Sequence, residues 1–212
     1  MKFKFAPKLI ATALAFLFTG SAHALLITAE AGGVTTTSLS GATIETFNSG
    51  ACGTYASCTG DFTIFNSSNG QSAQPANIDS AYLSVPNPYQ SGSASLTLGT
   101  NANYFGLYWG SIDNYNTLSF LFEGNEVASF NGTQIASYIP GAANGDQVSY
   151  SSNRYFNFFF GNQLFDQVKL TSNGYAFETD NHAFATVPEP GTLALLALGI
   201  TGLLIARRRK QG

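Results

Sequence analysis

The sequence predicts an all-β protein built on a two-sheet antiparallel β-sandwich of jelly-roll type. Three observations predict it. Short β-branched and aromatic runs alternate with Gly, Asn, Ser and Pro clusters, the central runs place an apolar side chain at every second position, and long helical periodicity is missing from the middle of the chain. Strands this short, spaced by turns, favour two stacked sheets, with a partly closed barrel as the alternative.

The N-terminus does not belong to that fold. Lys2, Lys4 and Lys8 precede an apolar run from Leu9 to Phe18, and Ala22-His23-Ala24 supplies small residues where a signal peptidase reads. This order is that of a secretory signal helix, residues 1–24, cleaved after Ala24. An N-terminal anchor is the alternative, but the run is too short to span ~30 Å of hydrocarbon comfortably. Residues 25–186 then form one extracellular domain, long enough to bury roughly two thirds of its unfolded surface. From Leu25 to Val187 there are two basic residues, Arg154 and Lys169, against eleven acidic ones, a formal charge of −9. So acidic a surface repels nucleic acid and phosphate head groups, which excludes both as partners.

Taken in order, Ala42–Phe47 reads as an early strand. The Ser-, Asn- and Gly-rich tract from Cys52 to Gln74 has strand character only at Phe62–Phe65, with a turn at Asn69-Gly70. Ala81–Val85 is a strand stopped by Pro86 and Pro88. In Ser93–Leu98, Ala94, Leu96 and Leu98 alternate with Ser93, Ser95 and Thr97, giving one apolar and one wet face. Tyr104–Trp109 carries large residues on both faces and should be central. Leu118, Phe120 and Phe122 form the next apolar face, and a turn at Glu123–Glu126 makes 117–130 a hairpin. Phe156, Phe158 and Phe160 share one face of Arg154–Phe160. Phe165–Leu170 follows, and the last strand runs over about Tyr175–Phe184.

Secretion frames Cys52 and Cys58 as a disulfide closing a short loop; a metal site is the weaker alternative, because two cysteines and His182 fall short of four zinc ligands. Glu178 and Asp180, two apart on a strand, point to one face. That pair could serve acid/base chemistry in a glycosidase or hold Ca2+, or it could be a solvated strand face or bond to a neighbouring loop. No calcium-loop spacing surrounds it, and no cofactor is expected beyond a candidate Ca2+. Tyr108, Trp109 and Asp113 are candidate glycan contacts, because rings and carboxylates together suit the C–H faces and hydroxyls of sugars. The competing reading makes the rings core and Asp113-Asn114 a turn. A nucleophilic triad is not expected: His182 is the single histidine after processing, and no G-x-S-x-G elbow is present. No catalytic residue is assigned, and the sequons at Asn66 and Asn131 carry no weight.

The last stretch, 187–212, has a fixed order of parts. Val187-Pro188-Glu189-Pro190-Gly191 precedes an apolar run, Thr192–Ala206, and then Arg207, Arg208, Arg209 and Lys210. From Gly191 to Ala206 a helix would be about 24 Å long, somewhat short of the ~30 Å hydrocarbon layer. A thin bilayer and snorkelling arginines close that gap, so a transmembrane helix over 192–206 is expected. The basic tail, residues 207–212, keeps the C-terminus inside while the signal sends the domain outward. The two prolines keep the chain extended just outside the bilayer.

Pro188-Glu189-Pro190, the short apolar span and the terminal arginines together closely resemble the PEP-CTERM sorting signal. The resemblance implies processing by exosortase, a membrane cysteine transpeptidase of Gram-negative bacteria that make extracellular polysaccharide. Val187–Pro190 would then be the recognition motif, 192–206 a transient anchor and Arg207–Lys210 the stop-transfer signal. The runs Ser80–Val85, Tyr104–Asp113 and Phe177–Asn181 look like those of a family of exosortase-dependent surface proteins from cyanobacteria and proteobacteria, whose resemblance implies no catalytic residue. The expectation is a secreted, non-enzymatic protein of the cell surface or extracellular matrix, associated with exopolysaccharide or biofilm. The alternative is a carbohydrate-binding, lectin-like sandwich, and less so a glycoside hydrolase.

Overall fold

The computed structural model describes residues 25–142 and 144–188. The signal residues Ala22 and Ala24, the motif residues Glu189 and Pro190, the apolar run 192–206 and Arg207–Lys210 lie outside that range. Among the described residues, no helix is long and apolar enough to cross a membrane.

Twelve strands among the described residues form two antiparallel sheets: β1 (Leu26–Ala29), β2 (Thr43–Glu45), β3 (Ser57–Gly60), β4 (Thr63–Phe65), β5 (Tyr82–Val85), β6 (Gly92–Ala102), β7 (Tyr104–Trp109), β8 (Asn116–Phe122), β9 (Asn125–Asn131), β10 (Arg154–Phe159), β11 (Phe165–Ser172) and β12 (Phe177–Ala185). The larger sheet runs β1-β10-β7-β12-β5-β4, with β2 paired to the distal half of β12, and the smaller runs β3-β6-β11-β8-β9.

Alternation decides which face each strand buries. Phe105, Leu107 and Trp109 of β7 and Phe156 and Phe158 of β10 point inward, and opposite them lie Ala94, Leu96 and Leu98 of β6, Leu118 and Phe120 of β8, and Val168 and Leu170 of β11. Phe120 sits at the middle, its ring centroid 4.7 Å from Phe160, 5.1 Å from Phe165 and 5.4 Å from Phe158. Each such ring, buried, contributes roughly 1.5–3 kcal/mol. All six residues of β7 are buried between β10 and β12, as expected of a central strand.

Some expectations shift. Phe122 is half-buried rather than core: it ends β8 one residue beyond Leu121, the last that pairs with β11, and is paired only with the exposed Asn125 of β9. β1 and β3 are strands where none was expected, and both are edge strands held by a longer neighbour. A five-residue helix, α1 (Gly132–Ala136), follows β9. The Asn131 side chain accepts from the Gln134 backbone N–H, and the Gln134 side chain accepts from the Asn131 N–H, a reciprocal capping box. Cys52 and Cys58 form a disulfide with Cα atoms 6.3 Å apart.

Candidate functional site

β12 positions the polar residues. Its ladder with β7 slips between Asp180 and Ala183, where Asn181 adopts φ 49°, a left-handed conformation asparagine tolerates. Phe177 faces the core before the slip, and His182 and Phe184 face it afterwards. Glu178 and Asp180 are thereby left on the outer face of the larger sheet. That face is not solvated, because loops 66–81, 110–115 and 145–153 fold across it. Asn153 ties the three together: its Oδ1 accepts from the backbone N–H groups of Ala76 and Ser111, both at 3.0 Å, and its Nδ2 donates to the carbonyls of Asp146 and Ser149. Beneath them, Tyr108, Tyr155 and Ile78 make a small second apolar cluster.

These loops leave one polar cleft of about 220 Å³. Its walls are Ser68 to Ala73, then Ser111, Asp113 and Tyr115, then Gly145 and Gln147, and finally Tyr175, Ala176 and Glu178. None is cationic. Glu178, 2% exposed, forms the floor: Oε2 accepts from Ser111 Oγ at 2.8 Å, and Oε1 accepts from the Ala73 N–H at 2.9 Å and Ser72 Oγ at 3.4 Å. Burial pushes its carboxyl up to about 7, against the pull of those donors and with a further push from the Asp113 charge.

Asp113, 8% exposed, lines the same cleft, and burial raises its carboxyl too. Tyr115 Oη lies 2.7 Å from both Asp113 Oδ2 and the Tyr175 carbonyl. The phenol can donate to either acceptor or share its proton between them, and its bond to Asp113 opposes the rise that burial causes in that carboxyl. Tyr115 is itself raised, by burial first and then by Asp113.

The two carboxylates of β12 do not share this cleft. Asp180 is fully buried, with Oδ2 3.4 Å from Ser80 Oγ and Oδ1 without a hydrogen-bond partner, and burial raises its carboxyl to about 7. The structure joins Glu178 with Asp113 instead, and the solvated-face reading of Glu178 and Asp180 is replaced by burial beneath loops. His182 lies in the core, 2.8 Å from Tyr55 Oη at Nδ1 and from Thr179 Oγ1 at Nε2, and burial lowers it to about 3. It is neutral and fully partnered.

Of the candidate glycan contacts, Asp113 lines the cleft. Tyr108 and Trp109 do not, and both are wholly buried. Tyr108 Oη donates to the Ala76 carbonyl, and Trp109 stacks on Phe177 at 4.2 Å in the core. Neither ring offers a face to a ligand, because β7 lies at the centre of its sheet and is covered on both sides. The rings that do border the cleft, Tyr115 and Tyr175, come from loops, as do Ser72, Ser111 and Gln147. Tyr115 lies two residues from the candidate Asp113, whereas the Ser- and Asn-rich loops look alike in sequence and give no signal. Among the described residues, no group of three or more His, Cys, Asp or Glu could hold a metal ion.

At the far end of β12, Val187 and Pro188 leave the domain beside Asn103. Residues 186–210 match the family described as PEP-CTERM protein-sorting motif. No curated protein matches the sequence. A solved structure, CpGH89CBM32-6 produced by Clostridium perfringens, is similar over 60% of this chain and 94% of that chain, at 8% identity and a TM-score of 0.34, too distant to bear on function. The motif marks the chain as a PEP-CTERM sorting domain-containing protein and implies an exosortase as its processing partner.

Proposed function

We propose that this PEP-CTERM chain is a non-enzymatic protein, exported by its N-terminal signal, cut by an exosortase, and deposited at the cell surface or in the extracellular matrix together with exopolysaccharide. One observation carries the reading: a sorting motif over 186–210 begins where the last strand of an all-β domain ends at Ala185. Residues 192–206 anchor the precursor transiently and Arg207–Lys210 retain its tail inside. The strand orders β10-β7-β12-β5 and β6-β11-β8-β9 support the jelly-roll reading, since they interleave as two Greek keys do. Replacing Pro188, Glu189 and Pro190 together with alanine should leave the tail attached. Unchanged surface release and an unchanged mature mass would overturn the reading.

A second reading, carbohydrate binding, is favoured by the cleft. It mixes the rings of Tyr115 and Tyr175 with hydroxyl, amide and carboxyl groups, the combination that suits sugar hydroxyls and C–H faces. Hydrolysis is the weaker use of it, because Glu178 is held by three donors and Asp180 lies elsewhere. In a glycan array, Asp113→Asn should weaken binding about tenfold, a loss of about 1.4 kcal/mol. EDTA separates a Ca2+-dependent mode from a direct one. A wild-type protein that binds nothing on the array removes the reading.

A further inference from the structure

We propose that Asn103 is a positioning residue for processing: its side-chain amide latches Val187 to the rim of the sandwich and so sets where on the folded domain the sorting motif begins. The inference rests on the sorting reading above and adds to it how the domain and its address are joined.

Asn103 links β6 to β7 and uses every polar group it has. Its backbone N–H donates to the Ala185 carbonyl at 3.1 Å, and its carbonyl accepts from the Phe160 N–H at 2.8 Å. Its side-chain Oδ1 accepts from the Val187 N–H at 2.6 Å, while Nδ2 donates to the Val187 carbonyl at 2.8 Å and the Gly161 carbonyl at 2.6 Å. The amide therefore treats Val187 as a neighbouring strand would, donating to and accepting from one residue, and extends the β12–β7 pairing beyond its last backbone pair, Ala185 with Tyr104. Thr186 adds a bond from Oγ1 to the Asn101 carbonyl at 2.8 Å. Asn103 is 7% exposed, so these bonds are shielded from water on its side.

The consequence follows from chain length. Pro188 is exposed and directly follows the latched residue, so no free linker separates domain from motif. The five residue steps from Val187 to Thr192, where the apolar run begins, reach at most about 18 Å. An enzyme reading this motif at the membrane must therefore work against the rim made by Asn101, Asn103 and Gly161. A latched segment is already extended and has lost the backbone freedom that recognition would otherwise have to remove.

The test uses the full chain expressed in a bacterium that carries the exosortase, with processing followed by pulse-chase and mature mass. Asn103→Ala should slow processing at least threefold. A second variant with Gly-Ser-Gly-Ser-Val inserted between Val187 and Pro188 leaves every latch bond in place and keeps a whole Val-Pro-Glu-Pro motif after the insert, but detaches that motif from the rim, and it should slow processing likewise while thermal unfolding of the domain is unchanged. Slowing in the insertion variant separates positioning from loss of fold. If both variants are cut at the wild-type rate while the triple alanine variant of 188–190 is not cut, the latch is overturned and the sorting reading stands. If the triple variant is also cut normally, both fall.

Discussion

Glu178 and His182 sit four residues apart on one strand, yet burial moves their proton affinities to opposite effect. Burial raises the Glu178 carboxyl from its ordinary 4.5 to about 7. Between those values the folded chain holds a proton that the unfolded chain releases, so its contribution to stability is complete below pH 4.5 and is lost as the pH rises through 7. Asp180 acts in the same direction, rising from 3.8 to about 7. His182 does the reverse: lowered from 6.5 to about 3, it contributes stability that is present above pH 6.5 and is lost as the pH falls toward 3. Two carboxyls against one imidazole make the domain more stable at pH 5 than at pH 8. Glu178→Gln should flatten that slope and stabilise the domain at pH 8 by on the order of 2 kcal/mol. Urea unfolding at the two pH values measures it, and parallel profiles for variant and wild type would exclude Glu178 as a source.

Among the elements, β7 shows what alternation can and cannot reveal. Its large residues on both faces marked it as central, and so it is. The single small residue, Gly106, has its reason only in the packed sheet. A Cβ there would run into the hydroxyls of Tyr155 and Tyr104, both held by other bonds, to the Asn181 carbonyl and to Asn157 Oδ1. Gly106→Ala should therefore destabilise by about 1–3 kcal/mol, read as a lower thermal midpoint, and an unchanged midpoint would mean that the tyrosines can give way. β10 and β11 were legible for the same reason as β7, since a strand buried on one face repeats every second residue. β1 and β3 were not. Ser57-Cys58-Thr59-Gly60 has no apolar alternation, and it is a strand because β6 beside it offers a row of free backbone groups. The helix α1 did have a signal, Asn131 with Gln134 three residues later, hidden inside a sequon.

At the scale of the whole molecule, the described strands fill 26–185, and the sorting motif matches 186–210. The sequence reading divides the chain into an expected signal, domain and tail by composition, and with the lysines and arginines of both ends set aside residues 25–187 carry a formal charge of −9. The cleft could not be read that way. Its walls come from 68–73, 111–115, 145–147 and 175–178, segments that meet only because β5, β7, β10 and β12 are neighbours in one sheet. The same holds for Asn103 and Val187, 84 positions apart and joined by an amide. By itself the sequence determined what is local and linear: the strand periodicity, the disulfide pair and a C-terminal address that is recognised as a stretch of chain. The tertiary structure alone decided what depends on sheet order. It buried Tyr108 and Trp109, sent Glu178 and Asp180 to different surroundings, brought Asp113 into one cleft with Glu178, and bonded Val187 to Asn103, because hydrogen bonds and burial act between neighbours in space whatever their separation along the chain.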